Sequence, residues 1–326
     1  MSPRLTYRCL LSRGRRPACA ALLLTGQTTC RACLWDSETL ASEVARLPEA
    51  VKIMTGNFPR HSKAFFEWRV RTSRESLAQP NASILLYDDL AVAQHKLGDH
   101  KAAIETMMAK EKIKPGIYET YSNLGTFYIY TGDLPTALSW IDKALAINAN
   151  AHFGREKYQK WLVEWVMQGK PYGIEGFGTY AREQSIKGKS PGNSALPGLN
   201  NQWNKEATAG VLGMMRFADY DNPILQEALG DILSAGEPKV DASHLAAMAY
   251  VQAGRKPMSD LEKKAVDRKL SVALNKAQWS QREAETELKK HVDQGNILTA
   301  AVTKDEAIWI SEGKDVSVQF ISKYYK

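Results

Sequence analysis

The sequence predicts an all-α protein, in which antiparallel helical hairpins stack side by side and further helices follow toward the C terminus. Two observations predict this class. The stretch 84–149 holds two copies of one helix–turn–helix pattern, with Gly98-Asp99 recurring 34 residues later as Gly132-Asp133. In the C-terminal part, one helix-start signal follows another, and no alternating strand pattern of any length occurs.

The two copies agree in residue type as well as in spacing. The matching pairs are Tyr87 and Tyr121, Leu90 and Leu124, Ala91 and Gly125, Ala103 and Ala137, and Met107 and Ile141. In the second copy the apolar residues recur three and four positions apart, as on one face of a helix. The small residues at Gly125 and Ala137 predict that the two helices of this hairpin approach each other closely.

These residues resemble the tetratricopeptide repeat (TPR) family, whose period is 34 residues. The matching positions are Leu124, Gly125, Tyr128, Gly132, Ala137 and Ala144 in the second copy, and Ala103 and Pro115 in the first. Two positions depart from the pattern, because Lys110 stands at the place of Ala144 and Gln94 at that of Tyr128. The resemblance implies a short right-handed solenoid with a concave face suited to peptides or partner proteins.

The segment that follows the second copy begins a helix rich in aromatic residues. Its start, residues 151–160, is similar to a group of exported bacterial TPR-containing proteins. That resemblance implies no known activity. His152 and Glu156 lie four residues apart, yet one His and one Glu make a weak metal site, and a contact in the first helical turn is the favoured interpretation. We therefore assign residues 84–168 to two TPR units and a capping helix.

The basic residues of the chain are concentrated at its start. Residues 1–33 hold no acidic residue and six arginines, Arg4, Arg8, Arg13, Arg15, Arg16 and Arg31. The remaining chain then has 37 basic residues (43 minus 6) against 36 acidic ones. The body therefore offers no electrostatic reason to expect nucleic acid as a partner.

Residues 1–33 have the order of an export signal. An Arg-rich segment precedes a short apolar core at 18–26, which is too short to span a bilayer, and small polar residues follow. All four cysteines lie here, and Cys30 and Cys33 are the candidates for lipidation of a lipoprotein-type leader. We expect an exported protein, periplasmic or anchored in the cell envelope. The alternative is a misplaced start codon with an Arg-rich tail.

The regions on either side of the repeats differ in character. Residues 34–83 predict N-terminal capping helices, one of them spanning His61 to Leu77, with Arg69 and its neighbouring arginines on a solvated face. Residues 169–204 are rich in Gly and Pro and predict a flexible linker or flap. Within it, Gly188-Lys189-Ser190 lacks the first Gly of a phosphate loop, which favours a plain basic loop.

Residues 205–326 predict a C-terminal helical region. Asn222-Pro223 is a favoured helix start, and Asp241 is read as the cap of the next helix. Two Ser-x-x-Glu sequences, Ser259 to Glu262 and Ser280 to Glu283, are capping boxes that open two further helices.

No stretch of the sequence carries the local signature of an enzyme. Motifs of metalloproteases, serine hydrolases and nucleotide-binding proteins are absent, and no cofactor or metal is expected. We therefore expect a non-enzymatic scaffold that binds a protein or peptide partner, with membrane association through the leader or a lipid anchor. The candidate binding residues on the concave face are Asp88, Asp89, Val92, His95, Glu119, Ser122, Asn123, Thr126 and Tyr130.

An alternative of a different class remains open. The C-terminal half could bind a small molecule or act as an enzyme, with the repeats as its docking arm. In that case the Gly-rich segment would close over a pocket made with Trp203, Met214 and Met215. A cleft with converging polar groups would support this alternative, whereas a featureless helical stack would count against it.

Overall fold

The computed structural model describes residues 50–149, 151–171, 173–187, 199–235, 240–256 and 258–325. Within these ranges the chain forms helices joined by short connections and contains no strand, so the predicted all-α class is confirmed there. In chain order the helices are α1 (Ala50–Met54), α2 (Lys63–Leu77), α3 (Leu86–Lys96), α4 (His100–Ile113), α5 (Tyr118–Thr131), α6 (Leu134–Ile147), α7 (Ala151–Met167), α8 (Gly176–Ile186), α9 (Leu199–Phe217), α10 (Pro223–Ala235), α11 (Val240–Ala253), α12 (Asp260–Ala277), α13 (Gln281–Ser311) and α14 (Val316–Tyr324).

Helices α3–α4 and α5–α6 are the two hairpins that the 34-residue spacing predicts. Gly132 ends α5 in the left-handed conformation, with φ of 81°, which favours glycine because it has no Cβ. The next residue, Asp133, caps α6 by accepting a hydrogen bond from the Thr136 N–H at 3.2 Å. Asp99 caps α4 in the same way, so both predicted turns are confirmed.

The structure explains both departures from the TPR pattern. The Lys110 side chain is buried, and its Nζ donates to Asp88 Oδ2 at 2.5 Å across the first hairpin. Gln94 Oε1 accepts a hydrogen bond from the Thr106 hydroxyl at 2.7 Å. Polar pairs therefore stand where the second hairpin has an Ala and a Tyr, and each pair ties α3 to α4.

Helix α2 begins two residues later than predicted, because the Ser62 hydroxyl caps it by accepting from the Phe65 N–H. It packs against α3, as expected for an N-terminal cap. Arg69 differs from the prediction of a solvated face. Its side chain is buried over the Phe65 ring and donates to the Ser317 hydroxyl at 2.5 Å. The contact with α14 was not visible in the sequence, because it joins residues that are 248 positions apart.

The described residues of the segment 169–204 are mostly helical, unlike the predicted flexible linker. The segment contains α8 and the start of α9, and the α8 residues Phe177, Tyr180 and Ala181 are buried in the largest apolar core. Tyr180 and Ala181 follow Phe177 by three and four residues, which places all three on one helical face. The Gly-rich composition of the segment had instead suggested a linker. The residues proposed as a basic loop, Gly188 to Ser190, lie outside the described ranges.

The predicted helix starts in the C-terminal region are largely confirmed. Asn222 Oδ1 accepts from the Ile224 and Leu225 N–H groups, and α10 begins at Pro223. Both capping boxes, at Ser259 and Ser280, are formed. Asp241 differs from its predicted role, because it lies inside the first turn of α11.

The long helix α13 returns to the N-terminal helices. Asn57 donates to Gln294 Oε1 at 3.1 Å, and Arg60 donates to the Thr299 hydroxyl at 2.8 Å. About two turns further along, the buried Glu306 carboxylate accepts from the Ser62 N–H at 2.8 Å, at the start of α2. Helix α13 therefore joins the C-terminal part of the described chain to its beginning.

Candidate functional site

The nine predicted binding residues lie together on α3 and α5, but most of them face other parts of the same chain. The three that keep some exposure are Asp89, Glu119 and Tyr130. The buried ones are Asp88, Val92, His95, Ser122, Asn123 and Thr126. The predicted concave binding face is therefore mostly occupied by packing within the protein, and a partner-binding role for these residues stays a prediction.

Helix α7 packs over part of this face, and one of its polar contacts continues the 34-residue spacing of the two hairpins. The Ser122 hydroxyl donates to Glu156 Oε1 at 3.2 Å, and these residues lie 34 positions apart, as Asp88 and Ser122 do. Gln159 Nε2 donates to Thr126 Oγ1 at 3.0 Å. Glu156 therefore bonds to a hairpin helix, whereas the His152 side chain is outside the described part of the structure.

Helices α9 and α10 approach the same face from the C-terminal half. Lys96, at the end of α3, donates to the Phe217 and Ala218 carbonyl oxygens at 2.6 and 2.5 Å. Because α7 packs against α9, and α9 against α10, the inner surface of the hairpins becomes one wall of a cleft.

This cleft has a volume of about 330 Å³ and opens between α5, α7, α9 and the start of α10. Its lining residues are all uncharged and mostly apolar: Thr126, Ile129, Tyr130, Gly132, Leu134, Gln159, Leu162, Val163, Val166, Met214, Ala218, Asn222, Ile224 and Leu225. The volume is at the lower end of the range of about 300–1,000 Å³ that is usual for small-molecule sites.

Local sequence features place the walls of the cleft. On α7, Leu162, Val163 and Val166 share a face because they are spaced by one, three and four residues. On the other side, the Asn222 cap fixes the first turn of α10 and so presents Ile224 and Leu225. The apolar faces of both helices were predicted, but their meeting across the cleft was not.

The polar side chains in the cleft wall are those of Thr126, Tyr130, Gln159 and Asn222, and the Gln159 amide is nearly buried. The Gln159 side chain is only 6% exposed, and its Nε2 is engaged with Thr126. Its Oε1 is buried and has no hydrogen-bond donor among the described residues. A buried acceptor of this kind is unusual, because most buried side-chain polar atoms are hydrogen-bonded.

A cluster of rings stands at the Tyr130 end of the cleft. The His95 ring stacks on Phe127 at 4.8 Å and meets the Tyr130 ring edge-on at 4.6 Å, and its Nδ1 lies 3.0 Å from that of His100. Burial lowers the pKa of His95 well below its usual range, and Lys96 and His100 lower it further. Burial raises the pKa of Tyr130, as do nearby carboxyl groups. His95 and Tyr130 are therefore uncharged near neutral pH.

Two carboxyl groups flank Tyr220 at the same end. Burial raises the pKa of Asp219, and its hydrogen bond with Asp221 raises it further. Burial alone would raise the pKa of Asp221, but hydrogen bonds with Lys256 and Asp219 lower it instead. The pair therefore holds a shared proton to a higher pH than isolated carboxyl groups would, with Lys256 paired to Asp221.

The pocket proposed around Trp203, Met214 and Met215 is formed only in part. Met214 lines the cleft, whereas Met215 is buried in the main core and Trp203 packs half-buried against that core. Of the segment expected to close over the pocket, residues 188–198 lie outside the described ranges.

A buried charged network is the polar feature that sequence reasoning missed. Lys269 Nζ donates to Glu227 Oε1 at 2.7 Å and to Asp231 Oδ2 at 2.8 Å. Asp231 also accepts from the Phe177 N–H at 2.8 Å and from the Tyr250 hydroxyl at 2.9 Å. The network links α8, α10, α11 and α12. The four-residue spacing of Glu227 and Asp231 on the apolar face of α10 was the available signal.

The charges of this network depend on one another. Burial raises the pKa of Asp231 to about 6, although the attraction of Lys269 opposes that change. Burial lowers the pKa of Lys269, but Asp231 and Glu227 outweigh this and raise it overall. Lys269 therefore stays charged, and the network acts as a structural link between helices.

The described residues hold no group of three or more His, Cys, Asp or Glu side chains that could bind a metal ion. Among the helices in those ranges, none combines the length and the apolar character that crossing a membrane requires. The lipidation candidates Cys30 and Cys33 precede the first described residue.

Comparison with protein-family models finds no match for this chain, and comparison with curated proteins finds none either. What the cleft can bind is therefore inferred from its own residues.

Proposed function

We propose that this protein is a non-enzymatic binding protein built on TPR-type hairpins, with its ligand site in the cleft where the hairpins meet the C-terminal helices. The 34-residue spacing of α3–α4 and α5–α6, their matching Gly-Asp turns and the continued register at Glu156 support the assignment of TPR units stacked as a short right-handed solenoid.

The ligand that this cleft suits is a small, apolar molecule. The observation that carries the proposal is a cavity of about 330 Å³ with uncharged and mostly apolar walls, drawn from helices of both halves of the chain. A cleft of this size holds a small molecule or a single side chain, whereas a folded partner needs a far larger surface. Burial of apolar surface would supply the binding free energy.

A role as a scaffold for a protein partner is a second candidate, and another surface favours it. On α13, Ile297 is 71% exposed and Ile308 is also exposed, and eleven residues separate them, about three helical turns. Both side chains therefore stand on one face of the helix, away from the cleft. Export to the cell envelope remains a prediction from the leader.

The proposal is tested with N-phenyl-1-naphthylamine, an uncharged apolar dye whose fluorescence rises in apolar surroundings. We expect saturable binding to the full chain. Ala218→Trp should weaken it by roughly tenfold or more, because a large side chain at this half-buried lining position fills the cleft.

Ala78→Trp is the matched control, since Ala78 is an exposed residue at the end of α2 and is not part of the cleft lining. It should leave dye binding unchanged. Equal dye binding by the two variants, with unaltered circular dichroism, would contradict the proposal. A protein partner held on α13 would be unaffected by either substitution.

A further inference from the structure

The outer face of α13 carries apolar residues that no other described part of the chain covers. Ile297 is 71% exposed, and Ala300 and Ala301, one turn further along, are exposed as well. The opposite face of the helix packs inward, because Gly295 and Val302 are buried. A single exposed isoleucine is common on protein surfaces, so the residues around it decide whether this face suits a partner.

The residues around Ile297 have the spacing of a helix that packs along another helix. Asp293, Ile297, Ala300 and Lys304 follow one another by four, three and four residues, and all four are exposed. This is the spacing with which one helix lines a seam against a second helix. We call these four residues the α13 seam, which is about 16 Å long.

The α13 seam is complementary to itself when two copies run antiparallel. A twofold axis midway between residues 298 and 299 places Asp293 opposite Lys304 of a second copy. The same axis places Ile297 opposite the small residue Ala300 of that copy. Each pair occurs twice, so opposite charges face each other at both ends of the contact and apolar residues meet between them.

The two charged residues of the seam are available to a second copy. Lys304 makes no ion pair with any described residue, since the neighbouring Asp305 is paired with Lys323. Asp293 contacts Lys289 at 2.5 Å, but these side chains are 51% and 69% exposed. An exposed pair of this kind contributes little to stability, so the Asp293 carboxylate can bind a second cation at small cost.

We propose that this protein forms a weak dimer in which the α13 seams of two copies pack antiparallel, with Asp293 of each copy paired to Lys304 of the other. The contact leaves the cleft open, because α13 contributes none of the cleft's lining residues. The inference therefore goes beyond ligand binding and does not depend on it.

Sedimentation equilibrium of the full chain measures the association. The average mass should rise with concentration from 36.3 kDa toward twice that value. We expect a dissociation constant of roughly 10–100 µM, because one pair of helices buries less surface than a standard interface. Ile297→Ser should weaken the association by about tenfold, since it removes the largest apolar side chain of the seam.

Exchanging the charges tests the pairing itself. Lys304→Glu and Asp293→Lys should each weaken self-association by about tenfold, because either change places like charges opposite each other twice in the dimer. An equimolar mixture of the two variants should associate as tightly as the unaltered protein, within about threefold, since every charged pair between unlike copies is then opposite in sign. Lys264→Glu, at an exposed position of α12 outside the seam, is the matched control and should change nothing.

Three results would overturn the inference. The first is a chain that stays monomeric up to about 0.5 mM, including one that binds vesicles of phosphatidylglycerol instead. The second is a dimer as tight in Lys304→Glu and Asp293→Lys as in the unaltered protein, and the third is a mixture of these variants that does not associate. Dye binding to a monomeric chain would leave the proposed function standing, whereas a dimer that binds no dye would overturn that proposal alone.

Discussion

At the residue scale, the ion pair of Asp88 and Lys110 stands out because both side chains are almost fully buried, at 0% and 1% exposure. Burial raises the pKa of Asp88 from 3.8 to about 7, although Lys110 opposes the shift. A carboxyl group whose pKa is higher in the folded state than in the unfolded state adds stability at pH values below its unfolded-state pKa. That contribution falls as the pH rises from about 4 toward 7.

Lys110→Met should therefore destabilise the protein in a pH-dependent way. Without Lys110 the pKa of Asp88 rises above 7, so the loss is small at pH 5, where the carboxyl is protonated with or without the lysine. It should grow to about 3–5 kcal/mol at alkaline pH, where an unpaired carboxylate is buried. Urea unfolding at pH 5 and pH 8 measures the difference.

The double variant Asp88→Asn with Lys110→Met is the control for this prediction. It removes the titrating group, so its stability relative to Asp88→Asn should be the same at both pH values. An equal loss for Lys110→Met alone at pH 5 and pH 8 would show that Asp88 does not titrate as inferred.

At the scale of elements, the crossing of α5 and α6 depends on the absence of a side chain at Gly125. A Cβ atom there would lie 2.6 Å from Ile141 Cγ1, far inside ordinary contact. Ala91 occupies the matching position of the first hairpin and is fully buried. The two hairpins share a sequence pattern, but the second one packs more closely at this point.

Gly125→Ala should lower the free energy of unfolding by about 1–2 kcal/mol. Overpacking costs about 1–3 kcal/mol, and the better helix propensity of Ala offsets part of it. Gly254→Ala is the control, because its nearest neighbour would be 3.4 Å away, an ordinary contact. It should change stability by no more than about 0.5 kcal/mol. Chemical denaturation measures the free energy of unfolding of both variants. A Gly125→Ala variant as stable as the unaltered protein would mean that α6 moves aside without cost.

At the scale of the whole molecule, α13 connects regions that are distant in sequence. Gly295 is buried against the backbone of Gly56, where a Cβ would lie 2.8 Å from both the C and O atoms. The same helix contacts α2 and α11. Because these contacts link the N-terminal cap to the C-terminal core, we expect the described helices to unfold in one cooperative transition.

Gly295→Leu should lower the midpoint of thermal unfolding by roughly 2–6 °C, because a Leu cannot approach the Gly56 backbone so closely. Calorimetry gives the midpoint, and hydrogen exchange should show faster opening in α2 and α11 as well as in α13. Asn296→Leu, at the neighbouring exposed position of the same helix, is the control and should change little. Faster exchange confined to α13 would argue against a single cooperative unit.

The parts of the fold that could be predicted depend on residues close together in the chain. Gly132 with Asp133, Asn222 with Pro223, and Ser259 with Glu262 act within one helical turn, so their signals are complete in the sequence. The burial of Arg69 could not be predicted in this way. Its partner Ser317 lies 248 residues away, and the surrounding charges suggested a solvated surface.

The candidate site shows the same division. The sequence by itself determined the helical class, the 34-residue hairpins and the apolar faces of α7 and α10, because periodicity and capping are local. Only the tertiary structure decided that these faces meet around a cleft and that Gln159 lies buried in its wall. The cleft arises from contacts between helices distant in sequence, and many apolar pairings of similar free energy are open to the chain until packing selects one.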